Sequence, residues 1–137
     1  MVSIRGFAPA LLLAGAVLAG CRYDTRPISG GPDEVVNYPD ISLSEDTLQH
    51  ALGFQQPIVS RTSGNLLQVT LPVRGKSNEQ LQVEYKVIWF DASGQPLRPD
   101  VGWVPLRLEP RQPTSITVNS TSSDAVRFNI QWRWTRR

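Results

Sequence analysis

From residue 54 onward, apolar and polar residues alternate, and a period of two marks strands that bury one face. Leu67, Val69, Leu71 and Val73 are separated by Gln68, Thr70 and Pro72. Leu81, Val83, Tyr85, Val87 and Trp89 repeat the pattern around Gln82, Glu84 and Lys86. Val104, Leu106 and Leu108 make a third run. It contains Pro105, which has no N–H to donate, so this strand is expected at a sheet edge or with its proline nitrogen outward. Ile116 and Val118 belong to a fourth. The last run is the clearest: Val126, Phe128, Ile130, Trp132 and Trp134 share one face, and Arg127, Asn129, Gln131 and Arg133 share the other. Asp91 to Pro96, Glu109 to Pro113 and the polar stretch Asn119 to Asp124 predict turns and loops. Five or six such strands need a second sheet about 10 Å away to cover their apolar faces. The pattern therefore predicts an all-β domain, an antiparallel β-sandwich, with a small barrel as the alternative.

The first half of the chain has no such alternation. Residues 41–53 are ambiguous between helix and strand. Ser44 is the expected N-cap of a helix of one to two turns, with Leu48, Ala51 and Leu52 at helical spacing and Gly53 ending it. Residues 21–40 have the composition of a tether: Arg26-Pro27, Ser29-Gly30-Gly31-Pro32-Asp33 and Tyr38-Pro39-Asp40 combine breakers with charge. Val35-Val36 is its one apolar pair able to add a strand to the domain. Residues 1–20 read as an export signal. Arg5 precedes an apolar run from Phe7 to Leu18, too short to span a bilayer, and small residues close it. The expected organisation is signal 1–20, tether 21–40 and sandwich 41–137.

Leu18-Ala19-Gly20-Cys21 resembles the lipobox of bacterial lipoproteins, in which cleavage makes the cysteine residue one and acyl chains are attached to it. Cys21 is the only cysteine of the 137 residues, so it has no intramolecular disulfide partner. Each buried CH₂ contributes about 0.8 kcal/mol, so two or three chains make anchoring in a lipid membrane stable. Arg22 follows the cysteine where Asp, in the lipoproteins this resembles, favours the inner membrane. The expected location is the outer membrane, with the domain in the periplasm. Export excludes nucleic acid as a partner.

Net charge is +2, but it is unevenly spread. Arg22 to Asp46 carries two basic and six acidic residues; Phe54 to the end carries eleven basic and six acidic. A mildly basic domain behind an acidic leader leaves anionic envelope components as possible partners, although ordinary solubilising charge explains the same balance.

These features together resemble a known family. A lipobox and tether precede Leu66-Leu67-Gln68-Val69-Thr70-Leu71. The segment Leu81 to Gly94 follows, with Tyr-x-x-x-Trp-Phe-Asp-x-x-Gly at 85–94, then Trp103-Val104-Pro105-Leu106 and Leu108-Glu109-Pro110. The chain is similar from signal to C-terminus to the YcfL-type (DUF1425) lipoproteins, uncharacterised proteobacterial envelope proteins. The resemblance implies an immunoglobulin-like sandwich at the outer membrane and supplies no catalytic residues. It also implies envelope work, because genes of this family are often found beside one for a lipoprotein activator of peptidoglycan synthases.

No catalytic constellation emerges from the residues, and no cofactor or metal is expected. His50 is the only histidine and has no cysteine to share a metal. Ser60, His50 and Asp46 make a triad on paper alone, without a Gly-x-Ser-x-Gly elbow. Glu84 and Asp91 are better explained by salt bridging and turn capping than as a glycosidase pair. Gly30-Gly31 is a hinge, not a phosphate loop. Of four tryptophans, Trp89, Trp132 and Trp134 fall on apolar faces and are expected in the core, while Trp103 is expected to be partly exposed. The outward row Arg127, Arg133, Arg136 and Arg137, with Lys86 beside it, is the best candidate basic patch. The expectation is a non-enzymatic lipoprotein that binds another envelope protein through Trp103, Arg127 and Arg133. The alternative is direct binding of peptidoglycan or lipopolysaccharide by the same surface.

Overall fold

The computed structural model describes residues 38–136. The order of elements is β1 (Ile41–Leu43), α1 (Asp46–Ala51), β2 (Leu52–Phe54), β3 (Ile58–Arg61), β4 (Leu67–Gly75), β5 (Leu81–Phe90), β6 (Val104–Leu108), β7 (Pro113–Asn119) and β8 (Arg127–Trp134). One sheet has the order β1-β8-β5-β6. In the other, β4 is central, with β7 on one side and β2 and β3 in succession on the other.

The fold is the expected immunoglobulin-like β-sandwich. Strict alternation in β4 puts Leu67, Val69, Leu71 and Val73 inside, and in β8 it puts Phe128, Ile130 and Trp132 there. These faces meet across the sheets, where Phe54 of β2 lies 5.3 Å from Trp132 of β8, ring centre to ring centre. Burying a side chain of this size contributes about 1.5–3 kcal/mol, so the period-two pattern is what drives two sheets together. Pro105 sits in β6, an edge of the β1-β8-β5-β6 sheet, as the missing N–H requires.

Several expectations are corrected. One strand pair is parallel: β1 runs alongside β8 with Ile41 opposite Ile130. Ser44 is not the helix cap. Its backbone N–H donates to the carbonyl of Trp132, extending the β1 ladder, so α1 starts one residue later, with Glu45 at the N-cap and no side-chain cap bond. Gly53 does not terminate α1; Leu52 is already extended and Gly53 pairs with Arg74 inside β2. Strand β3 has no counterpart in the pattern above, because all four of its residues are exposed. Val126 lies outside β8 and is exposed. Trp134 is half-buried rather than enclosed, and its indole Nε1 donates to Thr47 Oγ1 at 2.9 Å.

Candidate functional site: the outer face of the β1-β8-β5-β6 sheet

The sequence-predicted contact residues of the two central strands all project from one surface. In β5 and β8, the positions between the buried residues point away from the core. The register pairs Glu84 with Arg133, Lys86 with Gln131, Ile88 with Asn129 and Phe90 with Arg127. On the far side of β8, Ser42 of β1 lies opposite Gln131; beyond β5, Pro105 lies opposite Glu84. Trp103 immediately precedes β6.

The charges of this face are not arranged as one basic patch. Arg133 Nε donates to Glu84 Oε2 at 2.6 Å, and both side chains are mostly buried. The same guanidinium stacks 4.0 Å from the centre of the half-buried Trp103 ring, a cation–π contact. Lys86 Nζ pairs with Asp100 Oδ2 at 2.6 Å. The expectation of a free row of cations therefore fails for Arg133 and Lys86, because carboxylates on the same face neutralise both. Arg136 is exposed, and Arg137 is outside the described residues. Arg127 is also separate in space. It lies six residues from Arg133 along β8, about 20 Å at the rise of a strand. Trp103 and Arg133 are brought together; Arg127 is not brought to them.

At its own end of the face, Arg127 borders an open depression of about 450 Å³, lined by Asp40, Ser42, Ile88, Phe90, Asn129 and Gln131 among others. Its guanidinium lies against the turn after β5, with Nη2 3.2 Å from where a Cβ on Gly94 would stand. It makes no ion pair or side-chain hydrogen bond among the described residues. The turn is held by Asp91, whose Oδ1 accepts from Ser93 Oγ at 2.6 Å, Ser93 N–H at 2.9 Å and Gln95 N–H at 3.0 Å. These donors, the Ser93 hydroxyl first, hold the Asp91 carboxyl below its ordinary value of 3.8. Gly94 sits at φ 84°, where a Cβ would be strained. On the floor, Asn129 Nδ2 donates to Ser42 Oγ at 3.0 Å, while its Oδ1 is buried with no hydrogen-bond partner.

Ile88 and Phe90 are the residues the alternation reading missed. The signal was present: Val87-Ile88-Trp89-Phe90 is four consecutive apolar residues. A strand covered on one face only should alternate there, so a continuous run indicates an apolar patch on the outer face as well.

The other candidates fall away from this face or from one another. His50 is exposed in the last turn of α1. Ser60 Oγ lies 3.4 Å from Gln68 Oε1, to which it donates. Glu84 is taken by Arg133 and Asp91 by its turn. Among the described residues, no three or more His, Cys, Asp or Glu side chains gather as metal ligands, and no helix is long and apolar enough to cross a membrane. Leu18, Ala19, Gly20 and Cys21 lie outside the described residues.

Two solved structures share the architecture. The Campylobacter jejuni protein cj0090 superposes with a TM-score of 0.59 at 20% identity, over 72% of this chain and 100% of its own. A DUF1425 family member from Shewanella sp. pv-4 gives 0.56 at 23% identity, over 63% of this chain and 80% of its own. At these identities the likeness is one of fold. No curated protein matches the sequence. The sequence pattern described as "Protein of unknown function (DUF1425)" matches residues 40–133, which takes in every strand from β1 to all but the last residue of β8. The chain therefore belongs to the DUF1425 family.

Proposed function

We propose that this protein is a non-enzymatic envelope lipoprotein, acylated on Cys21 and held at the outer membrane, whose periplasmic sandwich docks another envelope protein. The docking surface is the outer face of the β1-β8-β5-β6 sheet. One observation carries the reading: two apolar side chains, Ile88 and Phe90, border a depression beside an arginine without a counter-charge, on a face that is otherwise polar or salt-bridged. Apolar patches rimmed by polar groups mark interaction sites. The resemblance to lipoproteins encoded near a peptidoglycan-synthase activator makes peptidoglycan synthesis or envelope assembly the setting.

Direct binding of peptidoglycan or lipopolysaccharide has less support. A sugar needs an open aromatic face, and one face of Trp103 is covered by Arg133. A polyanion needs free cations, and Arg133 and Lys86 are paired.

The test is in-cell crosslinking of the tagged full-length lipoprotein, with captured proteins identified by mass spectrometry. The expected result is one dominant envelope protein, lost in Cys21→Ala and weakened in Arg127→Glu. Failure to capture any specific protein overturns the reading, and capture unchanged by Arg127→Glu removes the proposed surface.

A further inference from the structure

Every other strand cation on this face has a partner: Arg133 has Glu84, Lys86 has Asp100 and Arg107 has Glu109. Arg127 alone, among these four, meets no carboxylate. The Asp91 carboxylate of the nearest turn is bound through Oδ1 to three donors of its own turn and forms no ion pair with Arg127. An exposed guanidinium resting on a glycine turn beside an apolar floor is complementary to a carboxylate that arrives with an apolar group. Guanidinium and carboxylate match as planar, bidentate partners.

One further feature chooses between kinds of anion. Asp40 also lines the depression, with its main-chain carbonyl already taken by the N–H of Ile130. Asp40 repels a doubly charged phosphate more strongly than a single carboxylate, and a phosphate brings no N–H donors to offset it. A peptide segment brings main-chain N–H donors for the Asp40 carboxylate together with a single carboxylate for Arg127.

From this geometry we infer that the depression is an anchor pocket for a short acidic segment of the partner protein. An aliphatic or aromatic side chain lies over Ile88 and Phe90, and a neighbouring Asp or Glu engages Arg127. The inference rests on the protein-partner reading above and specifies that partner's chemistry. A volume of about 450 Å³ holds one large side chain and the backbone on either side of it.

The probe is a displayed library of random dodecapeptides, selected on the full-length lipoprotein in detergent micelles and counted against micelles alone. Enriched peptides are expected to carry Asp or Glu within two residues of Phe, Trp, Leu or Ile. Arg127→Glu should weaken an enriched peptide by about tenfold or more, the scale of a lost charge-assisted hydrogen bond. Reselection on that variant should favour Lys or Arg beside the apolar residue. Ile88→Thr should weaken binding while keeping the acidic preference, and Ser115→Ala, on β7 of the opposite sheet, should leave it unchanged. Both Arg127 and Ile88 point away from the core, and equal thermal unfolding of the variants guards against misfolding. No enrichment over micelles, enrichment without acidic residues, or binding indifferent to Arg127→Glu overturns the inference. A cellular crosslink that Arg127→Glu abolishes, with no peptide enrichment, retains the partner reading and removes this pocket chemistry.

Discussion

Trp132 is fully enclosed, with Phe54 of the opposite sheet 5.3 Å away and Tyr85 of the neighbouring strand 5.4 Å away, both rings tilted against it. Its indole N–H has no acceptor. Two opposite contributions therefore meet in one side chain: the packing of a large ring, and a buried donor costing about 1–3 kcal/mol. Trp132→Ala should lose about 3–5 kcal/mol. Trp132→Phe removes the unmatched donor along with part of the ring and should lose less than about 1.5 kcal/mol. Urea unfolding measures both, and equal losses would rule out the penalty on the N–H. Asp91 makes a second residue-scale prediction. Its carboxyl is held below its ordinary 3.8 in the folded chain, so the stability it lends is present above that pH and is lost as pH falls through the lower folded value. Wild type should exceed Asp91→Ala in unfolding midpoint near about pH 7, with the gap narrowing towards about pH 2. A gap that does not change with pH would mean that the ionised carboxylate contributes nothing. Both roles are readable in sequence, Asp91 from its place before Ser93-Gly94 and Trp132 from its apolar face. The missing acceptor is not, because it depends on which atoms of other strands surround the ring.

Strand β3 is the element whose edge needs protection. Its four residues are all exposed, and Ile58 and Val59 stand side by side with 61% and 51% of their surface in solvent. Such an edge invites pairing with other chains unless something blocks it. Arg61 supplies the block. It lies opposite Leu67, at the end of the strand. Its guanidinium donates to the carbonyls of Asn65 at 3.0 Å, Ser123 at 3.2 Å and Ala125 at 2.7 Å, tying β3 to the loop that leads into β8. Hydrogen bonds from a charged donor are worth about 1.5–3 kcal/mol each when buried, and the exposed pair count for less. Arg61→Ala should cost about 1.5–3 kcal/mol and raise light scattering on warming. Unchanged stability would show the three bonds to be replaceable by water. The contrast with β4, β5 and β8 explains what was legible. Those strands bury one face, and burial is what selects a period of two. β3 buries neither face, so its sequence carries no period, and β1 and β2 are three residues each, too short to display one.

At the scale of the whole molecule, an excess of basic residues does not make a basic surface. The chain carries a net +2, and the segment from Phe54 onward holds eleven basic and six acidic residues. That composition points to anionic partners only if the cations are free. On the sheet face where the sequence places its basic row, Glu84 and Asp100 quench Arg133 and Lys86 at contact distance. The row was legible because outward positions follow from the strand period; its neutralisation was not, since Asp100 comes from a loop outside any pattern and Glu84 pairs across strands. Removing one quencher separates the two classes of ligand. Glu84→Gln frees the charge of Arg133 beside Trp103 and adds one positive charge to the face, within a Debye length, about 8 Å at physiological salt, of whatever lies on it. If polyanionic glycan is the ligand, wild type should already co-sediment with purified sacculi, and Glu84→Gln should do so more strongly and in a salt-dependent way. The protein-partner reading expects wild type to stay at background in that assay. It also expects Glu84→Gln to add at most a salt-sensitive trace, and crosslinking in cells to respond to Arg127→Glu instead. Wild-type binding to sacculi that survives about 0.5 M salt, where exposed charges are screened, would defeat the protein-partner reading at its root.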